Sequence, residues 1–203
     1  MNASGWVLAG GRSTRMGTDK TLLSYEGRPL IEIAVGKLQS LALLPRIVGR
    51  RSDLARFAPV VEDLRPGCGP LGGIEAALTV SDSDLNVFIP VDLPLLPSFI
   101  VQWMVARAEL TRAEATIPLL QGRPQPLCCV LRRALLPSIS SALDEGKFKV
   151  MPALTESGGA DCFNVETVAP AQRDWLAEPP LHKWFQNINS PEDLHALNGS
   201  TSR

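Results

Sequence analysis

"GWVLAGGRSTRMGTDK", residues Gly5 to Lys20, decides how the rest of the chain is read. A short apolar run, Trp6 to Leu8, gives way to glycines and then to two arginines, a serine, two threonines and a lysine. An apolar run that stops at glycines reads as a buried strand entering a βα turn, and such turns form the edge where open α/β sheets bind ligands. Gly10 and Gly11 let backbone N–H groups converge, and Arg15 and Lys20 add full charges, so the turn is an anion nest suited to phosphate. A solvated surface loop is the plain alternative. Five residues separate Gly11 from Gly17, and Lys20 lies beyond both, so the stretch is neither a Walker loop nor a Rossmann glycine fingerprint.

Working outward, apolar runs alternate with helix-like segments. "GRPLIEIAVGKLQSL" has a near 3.6-residue period through Leu30, Ile33, Ala34, Leu38 and Leu41, with Pro29 suited to a first helical turn. "PRIVGR" reads as a strand, "SDLARFA" as a short helix capped by Ser52, and "PVVED" as a strand ending in Glu62 and Asp63. "GPLGGIEAALTV" is a glycine-opened apolar helix, "DLNVFIPVD" a buried strand ending on Asp92, and "PSFIVQWMVARAEL" a further helix. "AEATIPL", "QPLCCVLRR" and "ADCFNVE" read as later strands, and "ALLPSISSALDEG" as a helix interrupted near Pro137. "WFQNINSPEDLHAL" closes the fold with Ser190 as an N-cap and Pro191 at the first helical position. This rhythm predicts a single-domain α/β protein, a Rossmann-like three-layer sandwich with a mostly parallel sheet and helices on both faces. The domain runs over 1–197, and 198–203 form a disordered tail.

Composition removes several function classes. Twenty Lys and Arg against 21 Asp and Glu give a net charge of −1 over 203 residues, not the basic surface that nucleic acid selects. The four cysteines form no CxxC pair and are expected to be reduced and mostly buried, with Cys128 and Cys129 on opposite faces of a strand. His182 and His195 have no zinc-ligand spacing. No stretch has the length of a membrane span and no leader pattern opens the chain, so a cytoplasmic protein is expected.

Two carboxylates stand at strand ends. Asp92 follows the most apolar strand, where an unpaired charge would be costly, and suits magnesium held by one carboxylate together with phosphate oxygens and water; capping the next helix is the alternative. Asp63 is read equally well as a ligand contact, a cap or a solvated loop residue.

"LAGGRSTRMGTDK", "GPLGGI", "VDLP" and "FQNINSPEDL", in that order, resemble the molybdenum cofactor guanylyltransferases of the glycosyltransferase-A-like nucleotidyltransferase superfamily, from about Gly5 to Leu197. The resemblance implies transfer of GMP from Mg–GTP to molybdopterin carrying molybdenum, with pyrophosphate released and molybdoenzymes or their chaperones as recipients. It implies that Leu8, Ala9, Gly10 and Gly11 lie against GTP, that Lys20 binds its phosphates, that Asp63 contacts the nucleoside and that Asp92 holds Mg2+. Asn187 and Asn189 would face the pterin side, although helix capping explains them too. Many relatives have an Asn where the second strand ends; "IVGRR" departs from this, leaving Arg50 or Arg51 as the substitute.

Attack of one phosphate on another joins two anions, so catalysis is expected to rest on positioning and charge, with Arg15, Lys20 and Asp92 in the catalytic roles. Guanine would be read through backbone groups that Gly10, Gly11, Gly69, Gly72 and Gly73 leave accessible. Competing readings are a cytidylyltransferase or sugar-phosphate nucleotidyltransferase of the same superfamily, and a non-catalytic nucleotide-binding regulator.

Overall fold

The computed structural model describes residues 3–10, 19–171, 179–190 and 192–194. Gly11, Arg15, Pro191 and the tail 198–203 lie outside the described residues.

The first strand, β1 (Ala3–Leu8), is followed by a hairpin of β2 (Ser24–Tyr25) and β3 (Arg28–Pro29), then by α1 (Leu30–Ser40) and β4 (Pro45–Val48). Next come β5 (Val60–Val61), α2 (Gly69–Val80), β6 (Leu85–Pro90) and α3 (Ser98–Thr111). The second half contains β7 (Ala115–Leu120), β8 (Arg123–Pro124), β9 (Cys129–Arg132), α4 (Leu136–Asp144), α5 (Val150–Thr155), β10 (Ala160–Asn164) and α6 (Val165–Val168). The main sheet runs β10-β7-β9-β6-β1-β4-β5, with β8 paired to β7. It is parallel throughout except where β9 lies antiparallel to β6 and β7, and where β8 pairs.

Two cores form because strand residues alternate between faces. Val7, Ile47, Val87 and Ile89 point to the layer of α1 and α3, while Trp6, Leu8, Val48 and Phe88 point to the layer of α2, α4 and α5. Cys128 and Cys129 fall in opposite cores, as alternation requires. The three-layer architecture is therefore observed. Among the described residues, no helix is long and apolar enough to cross a membrane.

Several local expectations are corrected. Pro29 is the N-cap of α1, because the β2–β3 hairpin uses it first. Ser52 opens a 3₁₀ turn, Ser52–Leu54, whose N-cap is Arg51 and lacks a side-chain cap bond. Pro137 sits in the first turn of α4 instead of interrupting it, where its missing N–H costs nothing. Cys162 is exposed and Cys68 half-buried, so only two of the four thiols are buried. The short helices α5 and α6 have no clear apolar period, so the sequence does not predict them.

Candidate active site

Leu8 is in register with Val48 of β4 and Pro90 of β6, so three parallel strands end level with one another. A cleft of about 1310 Å³ opens over these ends. Leu8, Gly10, Lys20, Asp63, Asp92 and Asn187 all line it. Residues as far apart in sequence as Leu8 and Asn187 thus meet at the edge predicted for ligand binding. Ala9 is buried just beneath, its N–H donating to the Val48 carbonyl at 3.0 Å. Asn189 is exposed and does not appear in the cleft lining; its backbone N–H donates to the Asp193 carboxylate at 2.8 Å.

At the floor, Lys20 Nζ donates to Asp92 Oδ2 at 2.8 Å. Asp92 lies two residues beyond β6, in a buried turn, and is 7% exposed. It does not cap α3, which begins at Ser98 with Pro97 as N-cap. The turn is held by the C-terminal segment: Trp184, Phe185 and Ile188 bury themselves in the α1/α3 core, and Ile188 N–H donates to the Asp92 carbonyl at 3.0 Å. Packing of that segment is what brings Asn187 into the cleft. Ser190 then caps the 192–194 turn in a reciprocal box with Asp193, each accepting the other's backbone N–H.

Asp92 fits a hard divalent cation. Among the described residues no group of three or more His, Cys, Asp or Glu could hold a metal. A single carboxylate beside an open cleft matches an ion that takes its remaining oxygens from phosphates and water.

Lys20 is itself positioned from two sides. Asp19 N-caps the 3₁₀ turn Lys20–Leu22, its Oδ1 accepting from Thr21 N at 3.0 Å and from Thr21 Oγ1 at 2.7 Å. The Arg51 guanidinium grips both oxygens of Asp19, with Nη1 3.0 Å from Oδ1, and also pairs with Asp53. Desolvation would raise the Asp19 carboxyl, but the bonds from Arg51 and Thr21 outweigh it and hold it below its usual range. Of the two arginines that the sequence offers as a substitute nucleotide contact, Arg51 lines the cleft while clamping Asp19, and Arg50, exposed on the cleft, faces Asp63. The basic pair following a strand end was the available signal; its partner Asp19 was not visible in one dimension.

Asp63 stands two residues past β5 and does not cap α2, whose N-cap is Cys68. Burial raises its carboxyl, Arg50 opposes the rise and Glu62 adds to it. Gly73 makes room for it: a Cβ there would lie 3.0 Å from Val48 Cγ1 and 3.3 Å from Asp63 Oδ1. Gly49 has φ +139°, and a Cβ on it would come within 3.1 Å of the Gly10 nitrogen. The first and second βα turns touch backbone to backbone there. The opposite wall, Gln125 to Cys128, was not anticipated, because it comes from the turn before antiparallel β9. Burial pushes the Cys128 thiol up to about 12, with Lys37 opposing, so it supplies no thiolate.

Residues 5–157 match the family described as the MobA-like NTP transferase domain. A Vibrio cholerae protein named molybdenum cofactor guanylyltransferase is 35% identical over 197 residues, covering 93% of this chain and 88% of that one. A Methanothermobacter thermautotrophicus protein named "Probable molybdenum cofactor guanylyltransferase" is 33% identical over 201 residues, covering 93% and 95%. The crystal structure of molybdopterin-guanine dinucleotide biosynthesis protein A from Archaeoglobus fulgidus superposes with a TM-score of 0.79 at 25% identity, over 98% of each chain. With the family match spanning most of the chain and the similarity extending to whole relatives, this chain belongs to the MobA-like NTP transferase family and is a nucleotidyltransferase.

Proposed function

We propose that the enzyme transfers GMP from Mg–GTP to the terminal phosphate of molybdopterin carrying molybdenum, releasing pyrophosphate. The observation that carries this reading is the Lys20–Asp92 pair at the floor of a cleft with a glycine-bounded wall on one side and Asn187 on the other.

An oxygen of the acceptor phosphate attacks the α-phosphorus of GTP, forming one P–O bond as the bond to the β-phosphate oxygen breaks. A phosphate monoester is already ionised at neutral pH, so no general base is needed. The chain's task is to bring two anions together and stabilise the charge between them. Lys20 donates to the triphosphate, with Arg15 supplying a second cation, and Asp92 is the carboxylate that would hold magnesium. When bound, that ion neutralises charge on the phosphates and orients them.

Leu8, Ala9, Gly10 and Gly11 form the nucleotide side, where nothing would meet a Cβ at Gly10 within 4 Å and the backbone stays open to a base. Asp63 contacts the nucleoside. Asn187 lies on the acceptor side, with Asn189, two residues on and outside the cleft lining, as the more peripheral pterin contact. The free cysteines suit the reducing cytoplasm, where we place the reaction, with molybdoenzymes or their chaperones taking the product.

The test is incubation with each nucleoside triphosphate, Mg2+ and molybdopterin, with products identified by mass. The expected product is the guanine dinucleotide, with GTP preferred by at least about 100-fold in kcat/KM over CTP and ATP. Equal use of CTP overturns the guanine assignment, and binding without pyrophosphate release overturns the transferase step.

A further inference from the structure

Glu75 is a carboxylate inside the apolar helix α2, 3% exposed and flanked by the fully buried Ile74 and Ala76. Nothing in the reaction above uses it. Burying a charge in such a helix is unfavourable unless a partner meets it, so its retention calls for a reason. Ser140 Oγ of α4 donates to Oε1 at 2.8 Å. Oε2 lies 3.0 Å from Arg65 Nε, an ion pair without the alignment of a good hydrogen bond. Arg65 also pairs with Asp144, at the end of α4.

Arg65 is not on a helix. It belongs to Leu64–Cys68, the later part of the connection from β5 to α2, and the same segment presents Pro66 and Gly67 to the cleft. A second observation shows how closely this segment lies on the helix behind it. A Cβ at Gly72 would be 3.0 Å from Cys68 Cβ and 3.4 Å from the Arg65 carbonyl oxygen. The segment is therefore folded back over the first turns of α2, with glycine permitting the approach and the Glu75–Arg65 pair fixing it from the far side.

We propose that Glu75, acting through Arg65, is a positioning residue that fixes the Leu64–Cys68 wall of the nucleotide cleft, and through that wall sets triphosphate affinity and selectivity. The selectivity half rests on the guanine reading above. An apolar contact would let the segment slide along α2, whereas a buried carboxylate shared between a serine and a guanidinium accepts few geometries. The wall is then preorganised, and the nucleotide meets it without an ordering cost.

The experiment compares the full-length parent with Arg65→Gln, Glu75→Leu, their double variant and Arg65→Lys. It measures steady-state kinetics with GTP and with CTP, alongside thermal melting. Each single neutral variant is expected to raise the GTP KM about 5- to 10-fold with kcat within about two-fold, and to narrow the GTP/CTP ratio. The double variant is expected to be no worse than either single one, because both break one interaction, and Arg65→Lys to recover most of the affinity. Lowered melting temperatures with unchanged KM and unchanged ratio overturn the proposal, since a purely structural pair behaves that way. Should Glu75→Leu fail to fold, Arg65→Gln changes a partly exposed side chain and carries the test alone. A parent with no preference for GTP would remove the guanine reading, and the positioning role would then be judged on the triphosphate KM alone.

Discussion

Replacing Asp92 by asparagine separates two roles that the Lys20–Asp92 pair combines. At 2.8 Å and an effective dielectric near 20, the direct attraction is about 6 kcal/mol, most of it offset by the desolvation of a carboxylate that is 7% exposed. The net worth is that of a charge-assisted hydrogen bond, about 1.5–3 kcal/mol. Asparagine keeps the shape and one acceptor, and the Lys20 side chain, 22% exposed, can rehydrate, so Asp92→Asn is expected to cost only about 1–2 kcal/mol of stability. Turnover is another matter. A neutral amide could not hold the magnesium proposed to offset phosphate charge, and kcat is expected to fall about 100-fold or more. Nucleotide affinity is expected to hold or rise, because Lys20 no longer has to share its ammonium with a protein carboxylate. Lys20→Met is expected to show the reverse pattern: weakened GTP binding, and a larger stability loss of about 3 kcal/mol from leaving Asp92 without its counter-charge. Pyrophosphate release, GTP titration calorimetry and thermal melts read the three quantities separately. Asp92→Asn activity within about two-fold of the parent would refute the metal assignment, and parallel losses of GTP affinity in both variants would refute the division of roles.

Other perturbations test the surrounding frame. Arg51→Ala releases Asp19 and with it the turn that carries Lys20, and is expected to lower kcat/KM about 10-fold; a charge-swapped Asp19→Arg, Arg51→Asp pair that recovers part of the loss would show that the contact itself matters. Gly49→Ala is expected to cost about 1–3 kcal/mol, read in denaturant melts, because φ +139° and the 3.1 Å approach to Gly10 leave no relaxed place for a methyl group. For Asp63 the folded carboxyl lies above its ordinary value of 3.8, so the folded state binds the proton more tightly and stability falls as pH rises from 3.8 through the folded value. Asp63→Asn is expected to flatten that part of the stability–pH curve and raise stability at neutral pH while weakening nucleotide binding; curves that remain parallel to the parent's would count against it. Asn187→Ala is expected to raise the acceptor KM with GTP binding unchanged, whereas a drop in melting temperature with normal acceptor KM would mark a structural role.

The strand-to-glycine transition at Leu8 was legible because both of its signals are local: a buried strand must be apolar, and a turn that admits a ligand to its backbone must lack side chains. The same holds for Asp92, since a carboxylate beside "NVFIPV" is conspicuous whatever the rest of the chain does. Boundaries were less legible. The apolar run predicts a strand through to Asp92, whereas β6 ends at Pro90, because the run continues smoothly into the buried turn that follows it. Strand β9 gave no sign that it would run antiparallel to both neighbours, since strand direction depends on which connections close over the sheet.

By itself, the order of residues determined the α/β architecture, the edge over which the cleft opens and the residue types gathered there, because period, glycine placement and helix caps act over a few positions. Only the tertiary structure decided who meets whom. Lys20 pairs with Asp92 across 72 positions, Arg51 reaches back to Asp19 across 32, and Ile188 holds the Asp92 turn from the far end of the chain. Glu75 has no visible partner along the helix "GPLGGIEAALTV", and only the fold places Arg65 and Ser140 on either side of it. Such contacts are set by how parallel strands align and how two helical layers close over them. Distance through space, which fixes Coulomb and hydrogen-bond energies, is not encoded by separation along the chain.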